Sequence, residues 1–325
     1  MTSNIKRVNI DIVELIINYY KNDFNDLSNI LCVSKLFNKY MIKNVYVKTH
    51  FQELFKYKNI THLDINCSKF VELSSLIHFK NLYYLDISHC YLIKDLSPLT
   101  KLNNLNMLEL SNNKINILPQ LSNIKKLYIL GCNIINWEIL STYHKLEDLR
   151  IGGNFTDISL LQNLKNLKKL MLLNQEMINI NYLNKLYNLE LLNIAYVKIN
   201  DLNYLINLKK LKKLILYECK EIQDFTPLSK ITSLRYLDLS RTNISNLHCL
   251  VNLKLTTLML NDCNNIKDFS YISELTSLEE LYLNYISLTN VYCIGELYNL
   301  RKLFVYRTRC DLSYLTRLKN CRIFI

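Results

Sequence analysis

One spacing constrains this chain more than any other feature. An aliphatic residue is followed by a second three places on and a third two places later, and the triplet returns every 19 to 23 residues. It stands at Ile60/Leu63/Ile65, Leu82/Leu85/Ile87, Leu105/Leu108/Leu110, Ile124/Leu127/Ile129, Leu146/Leu149/Ile151 and Leu167/Leu170/Leu172. It continues at Leu189/Leu192/Ile194, Leu211/Leu214/Leu216, Leu234/Leu237/Leu239, Leu255/Leu258/Leu260, Leu278/Leu281/Leu283 and Leu300/Leu303/Val305, making twelve units. Val45/Val47 behind Ile42 reads as a degenerate leading unit, and Cys321/Phe324 as a truncated trailing one. The last two members of a triplet are two apart, which places both on one face of a short strand. Later in each unit the spacing becomes three, as in Leu202/Leu205/Leu208 and Leu312/Leu315/Leu318. That period suits a helical or 3₁₀ turn laid against the strand layer. One such unit has too few apolar side chains to offset the ordering of its own backbone. Stacked neighbours supply the missing burial and the strand hydrogen bonds, so the pattern predicts a solenoid.

Segments such as 105–115, with Leu105, Leu108, Leu110, Asn113 and Ile115, resemble the leucine-rich repeat. The resemblance implies an α/β leucine-rich-repeat solenoid over residues 60–320, followed by a truncated terminal repeat at 321–325. Its curved parallel sheet would line the concave face, with short helices or 3₁₀ turns on the convex face. The third unit, with Leu118-Pro119 and 19 residues, departs from its neighbours. Units carrying Cys90, Cys219 and Cys263 are similar to the repeats of F-box leucine-rich proteins. These cysteines, with Cys132, fall eight places after the leading residue, where Asn113 and Asn154 fall in other units. An inward side chain there helps to satisfy backbone groups as the chain leaves the strand, and a small thiol fits that slot. No pair has C-x-x-C spacing, so neither zinc nor any other cofactor is expected.

Residues 1–45 lack the triplet and have helical periodicity, with Ile12, Leu15, Ile16 and Tyr19 on one face and Leu27, Ile30, Leu31 and Leu36 in a second apolar set. This segment resembles an F-box, its core borne by Leu27, Leu31, Val33, Lys35 and Phe37, with Asp11 where that family has proline. The resemblance implies that Ile10, Ile12, Leu15, Ile16, Leu27, Leu31, Val33, Lys35 and Phe37 dock a Skp-family adaptor. Residues 46–59 would then be a linker and N-terminal cap. A second reading of the same residues is a pair of amphipathic helices that only close the apolar end of the array.

If the strands line the inner surface, places two, four, six and seven after each leading residue face outward from it. Place four runs from Asp64, Asp86 and Glu109 to Met259, Tyr282 and Phe304, an acidic start giving way to an apolar and aromatic half. Exposed aromatic patches mark binding surfaces. Tyr217, Met259, Tyr282, Tyr285, Phe304 and Tyr306 are therefore the expected contacts to an unidentified target protein, with Asp238 and Arg241 giving polar selectivity. The alternative is that some of these rings pack on neighbouring units. Such a surface is too open to desolvate a small substrate, so no small-molecule substrate is expected.

The formal charge of +12 raises the question of nucleic acid. Lys125-Lys126, Lys168-Lys169 and the 209–213 lysines lie at strand entrances, where they could form a basic rim. Lysine-rich coding accounts for them equally, and nucleic acid is not the expected partner. Abundant Asn, Ile, Lys and Tyr beside 4 Gly suit an AT-rich genome, of a protist or a large DNA virus. No run of 18 apolar residues and no signal peptide occur, so the chain reads as cytoplasmic, without a membrane partner, and its ten cysteines as reduced. There is no Walker, dinucleotide or H-E-x-x-H motif, and Ser88-His89-Cys90 puts neighbouring strand residues on opposite faces. The chain is not expected to be an enzyme. Together the resemblances imply the substrate-recognition adaptor of an SCF-type cullin–RING ubiquitin ligase. A non-enzymatic interaction scaffold is the alternative.

Overall fold

The triplets form strands. The computed structural model describes residues 44–46, 59–66, 70–174, 176–287, 292–308 and 312–325, and the chain divides into two compact units, 1–123 and 124–325. The first unit holds β1 (Asn44–Tyr46), β2 (His62–Asp64), β3 (Tyr84–Asp86) and β4 (Met107–Glu109). The second holds β5 (Lys126–Ile129), β6 (Asp148–Gly152), β7 (Lys169–Leu173), β8 (Leu191–Asn193) and β9 (Lys213–Ile215). It continues with β10 (Tyr236–Asp238), β11 (Thr257–Met259), β12 (Glu280–Tyr282), β13 (Lys302–Phe304) and β14 (Arg322–Phe324). Within each unit the strands are parallel and pair in chain order. Strands β2 to β13 are the twelve triplets. The degenerate units add a strand each, Val45 aligning with Leu63 and Ile323 with Leu303. The expected boundary after residue 45 therefore falls inside β1. The rest of the F-box-like segment, with the docking set Ile10 to Phe37, lies outside the described residues.

Register keeps the leucines in line: Leu214, Leu237, Leu258, Leu281 and Leu303 are successive Cα partners. All thirty-six triplet side chains of the twelve units are between 0 and 2 % exposed. A slip of one residue would turn this whole row to the open face, so the pattern itself fixes the pairing. Each described triplet strand except β4 leads into a 3₁₀ helix, and among the described residues all the helices are of this kind. The cause is visible in the return segment, where Leu205 N donates to Leu202 O, Leu208 N to Leu205 O and Leu211 N to Leu208 O, at 2.9–3.0 Å. Spacing three is thus the i→i+3 bond repeated until the next leading leucine. The 19-residue unit after β4 has no such helix, and the division between the compact units follows it.

Two local devices recur. Carboxylates of Asp95, Asp201, Asp224 and Asp268 accept the backbone N–H groups of Ser97, Asn203, Thr226 and Ser270 at 2.8–2.9 Å, where the 3₁₀ turns begin. Place seven is left-handed in ten units, with φ of 52–74° at His89, Asn112, Gly131, Gly153, Tyr196, Glu218, Arg241, Asp262, Tyr285 and Arg307. Eight of these ten are not glycine, and each such residue carries roughly 1–2 kcal/mol of backbone strain. At place eight, Cys90, Cys219 and Cys263 point their thiols at the carbonyls of Ile65, Ile194 and Leu239, at 3.0–3.1 Å. Asn113 does the same toward Ile87 O at 2.8 Å. The thiols hold the turn, and burial pushes Cys219 up to about 12 and Cys263 up to about 11, which disfavours the thiolate at both.

Candidate recognition surface

The open face of the sheet in each unit carries places two, four and six. In the first unit it is acidic, as expected, but its carboxylates are engaged. Asp64 accepts from Asn66 N at 3.0 Å and Asp86 from Ser88 N at 2.8 Å, while Tyr84 donates to Glu109 at 3.3 Å.

In the second unit the face becomes aromatic toward β14. Tyr282, Phe304 and Phe324 occupy one register position on adjacent strands, and parallel pairing stacks them with centroids 4.2 and 4.3 Å apart and planes within 4°. Tyr282 also donates to Glu280 at 3.1 Å; burial first, then this bond, pushes its hydroxyl up to about 12. Beside the stack, Tyr285 and Tyr306 meet edge to face at 5.7 Å, and both are nearly half exposed. Tyr217 meets Tyr196 in the same way at 5.2 Å. Met259 receives the hydroxyl of Tyr236 at 2.9 Å. Some of the expected contact residues therefore do pack on their neighbours, yet Tyr285 and Tyr306 remain open to solvent.

Two expected polar contacts are engaged within the chain. Asp238 is 8 % exposed and faces its own turn, its Oδ1 accepting from Ser240 N at 2.9 Å. Asn193 plays the same part toward Ala195 N at 3.0 Å, so a short polar side chain at this place caps the strand exit. Arg241 is exposed but engaged, its guanidinium lying between Glu218 at 3.1 Å and Asp262 at 3.3 Å. Three of the lysines at strand entrances are neutralised by carboxylates of adjacent repeats. Along place one, Lys125, Glu147, Lys168, Glu190 and Lys212 alternate in sign, with ion pairs of 3.5 Å (Lys125–Glu147), 2.8 Å (Lys168–Glu147) and 2.9 Å (Lys212–Glu190). Glu147 and Glu190 are held below the usual carboxylate range by hydrogen bonds from Lys168 and Lys212.

Asp238 yields a prediction with a definite sign. Burial raises its carboxyl above the ordinary value, outweighing the Ser240 bonds and the Lys213 charge that lower it. A raised carboxyl means that the folded state disfavours the ionised form. Stability is then complete below the unfolded value of about 3.9 and falls as pH rises through the folded value. Asp238→Asn keeps the Ser240 acceptor, as Asn193 shows. Its melting temperature should exceed wild type at pH 7 and converge on it near pH 3; an equal offset at both values would contradict this.

Three residues of this surface were not singled out from the sequence. Tyr196 and Arg307 stand at place seven, and Phe324 at place four of the trailing unit. Aligning all the units on place seven would have revealed the first two. Among the described residues no helix is long and apolar enough to cross a membrane.

The comparisons agree with this geometry. The family of Zer-1-like leucine-rich repeats matches over residues 177–246, and no curated protein matches the chain. Among solved structures, an internalin of Listeria monocytogenes is 25 % identical, with a TM-score of 0.67 over 83 % of this chain and 87 % of that one. A leucine-rich-repeat protein of Leptospira interrogans is 21 % identical, with a TM-score of 0.61 over 87 % and 89 %. The plant peptide hormone receptor RGFR1, in complex with RGF2, is 18 % identical, with a TM-score of 0.57 over 86 % and 53 %. With its triplets in register and its thiols holding the turns, this chain is a leucine-rich-repeat protein.

Proposed function

We propose that the chain is a protein-binding adaptor of an SCF-type cullin–RING ubiquitin ligase, residues 1–45 docking a Skp-family subunit and the open face of the second unit holding the target. The observation that carries the recognition half is the exposed aromatic surface at Tyr285 and Tyr306, beside the Tyr282–Phe304–Phe324 stack. Rigid, half-exposed rings bury much area on binding at little conformational cost, which suits a protein partner. A polar cavity of about 400 Å³ beside Arg241 is lined by groups already paired with one another, such as Glu218 and Asp262, so it is poorly suited to a small substrate. The ligase half rests on the F-box resemblance of Leu27, Leu31, Val33, Lys35 and Phe37. The adaptor would supply proximity, raising the local concentration of target lysines near a ubiquitin-charged enzyme.

Affinity purification of the intact chain tests both halves. Skp-family and cullin subunits should co-purify, Leu31→Asp should lose them while retaining the target, and Tyr285→Ala/Tyr306→Ala should do the reverse. An intact chain that captures target proteins but no Skp-family subunit would leave an interaction scaffold whose front segment is only a cap.

A further inference from the structure

Two places on the second unit's open face share one construction. In the first, Tyr196 and Tyr217 meet edge to face, and the Arg241 guanidinium lies 5.8 Å from the Tyr217 ring. In the second, Tyr285 and Tyr306 meet edge to face, and the Arg307 guanidinium lies 5.9 and 5.4 Å from their rings. Both arginines stand at the left-handed place seven, with φ of 57° and 52°. They differ in what surrounds the charge. The place-seven residues flanking Arg241 are Glu218 and Asp262, and each puts a carboxylate on it. The place-seven residue before Arg307 is Tyr285, and among the described residues no carboxylate pairs with Arg307. The Arg241 site therefore shows what a guanidinium in this setting accepts, and among the described residues nothing supplies it to Arg307. Five fixed N–H donors over aromatic faces favour a carboxylate held in two-point contact.

We propose that Arg307, held over Tyr285 and Tyr306, receives a carboxylate from an acidic, extended segment of a partner protein lying across β12 and β13. This rests on reading the open face as the recognition surface and adds the chemistry of what it recognises. The carboxylate takes the position that Glu218 and Asp262 hold toward Arg241. Apolar side chains of the same segment cover the two tyrosines and the Tyr282–Phe304–Phe324 stack. Two of the neighbouring cations are already paired, Lys302 with Glu280 at 2.6 Å and Arg301 with Glu279 at 3.5 Å.

The test uses the full chain and an immobilised array of decapeptides in which Glu is moved through a Leu/Phe/Ser background, with Gln and Lys versions of each peptide. The strongest Glu peptide is then measured by fluorescence anisotropy, with a single-stranded RNA 15-mer as competitor. Glu peptides should bind at least 10-fold more tightly than their Gln versions, and Lys versions should not bind. Arg307→Ala should remove that 10-fold preference, and Arg307→Lys should restore part of it. Arg301→Ala, which removes the same charge from the strand-entrance edge, should leave affinity within about twofold. Equal affinity for Glu and Gln peptides, equal effects of Arg307→Ala and Arg301→Ala, or no peptide bound at about 1 mM would each overturn the inference. So would RNA that displaces the peptide and depends on Arg307 to the same degree. A partner from purification that is lost in Tyr285→Ala/Tyr306→Ala but kept in Arg307→Ala would leave the recognition surface standing and remove only the acidic segment.

Discussion

Gly153→Ala should destabilise the second unit by about 2–5 kcal/mol, whereas Gly152→Ala, one residue away, should be neutral or slightly stabilising. Gly152 ends β6 and Gly153 begins the turn after it, and the two differ in backbone and surroundings. Gly153 has φ of +74°, and a Cβ built there would lie 2.3 Å from the carbonyl oxygen of Cys132. That oxygen belongs to a backbone turn of the adjacent repeat, so the clash cannot be relieved by turning a side chain. At Gly152 a new Cβ would meet Leu173 Cβ at 3.4 Å and Leu130 Cδ2 at 3.5 Å, which is ordinary packing. Alanine there also lowers the entropy of the unfolded chain. Thermal melts of the two variants decide the point, with a drop of roughly 10 °C expected for Gly153→Ala. Equal melting temperatures would mean that the turn adapts as it does at Glu218 or Arg241, where larger residues occupy the same left-handed place.

That contrast marks where the sequence stops being legible. The strands, their parallel order and the inward cysteines all follow from triplet spacing, because burial depends only on period and every unit repeats the same solution. What Gly152-Gly153 do differently is invisible in the letters, since it depends on how closely Cys132 of the neighbouring repeat approaches. The turn bond of Asp238 is hidden for a related reason. Place four faces outward, but a short carboxylate there can fold back onto the N–H two residues ahead, and only the bond to Ser240 reveals it. Long side chains such as Tyr282 and Phe304 cannot do so, and their rings remain on the face where alternation puts them. The charge ladder was missed because the lysines were read along the chain. Their partners Glu147 and Glu190 stand one repeat away, at separations of 21 or 22 residues. Read by place within the unit, the same letters give alternating signs.

Leu237→Ala should cost about 2–5 kcal/mol, and Ile323→Ala, at the equivalent place in β14, only about 1 kcal/mol. Leu237 is fully buried, and its register partners Leu214 and Leu258 lie on both sides. Removing its branched end leaves a cavity that leucines fixed by their own strand hydrogen bonds cannot collapse to fill. Ile323 is partly exposed and aligns with Leu303 of β13 on one side, so truncation there opens surface to water instead of an internal void. In a stack where each unit is held by its neighbours, the loss at Leu237 should also propagate. Backbone amides of β9 and β11 should exchange faster in Leu237→Ala than in wild type, while those of β5 and β6 change less. Uniform acceleration across the second unit would show that it unfolds as one cooperative block, and similar costs for the two substitutions would show that burial at this place in the repeat does not set stability.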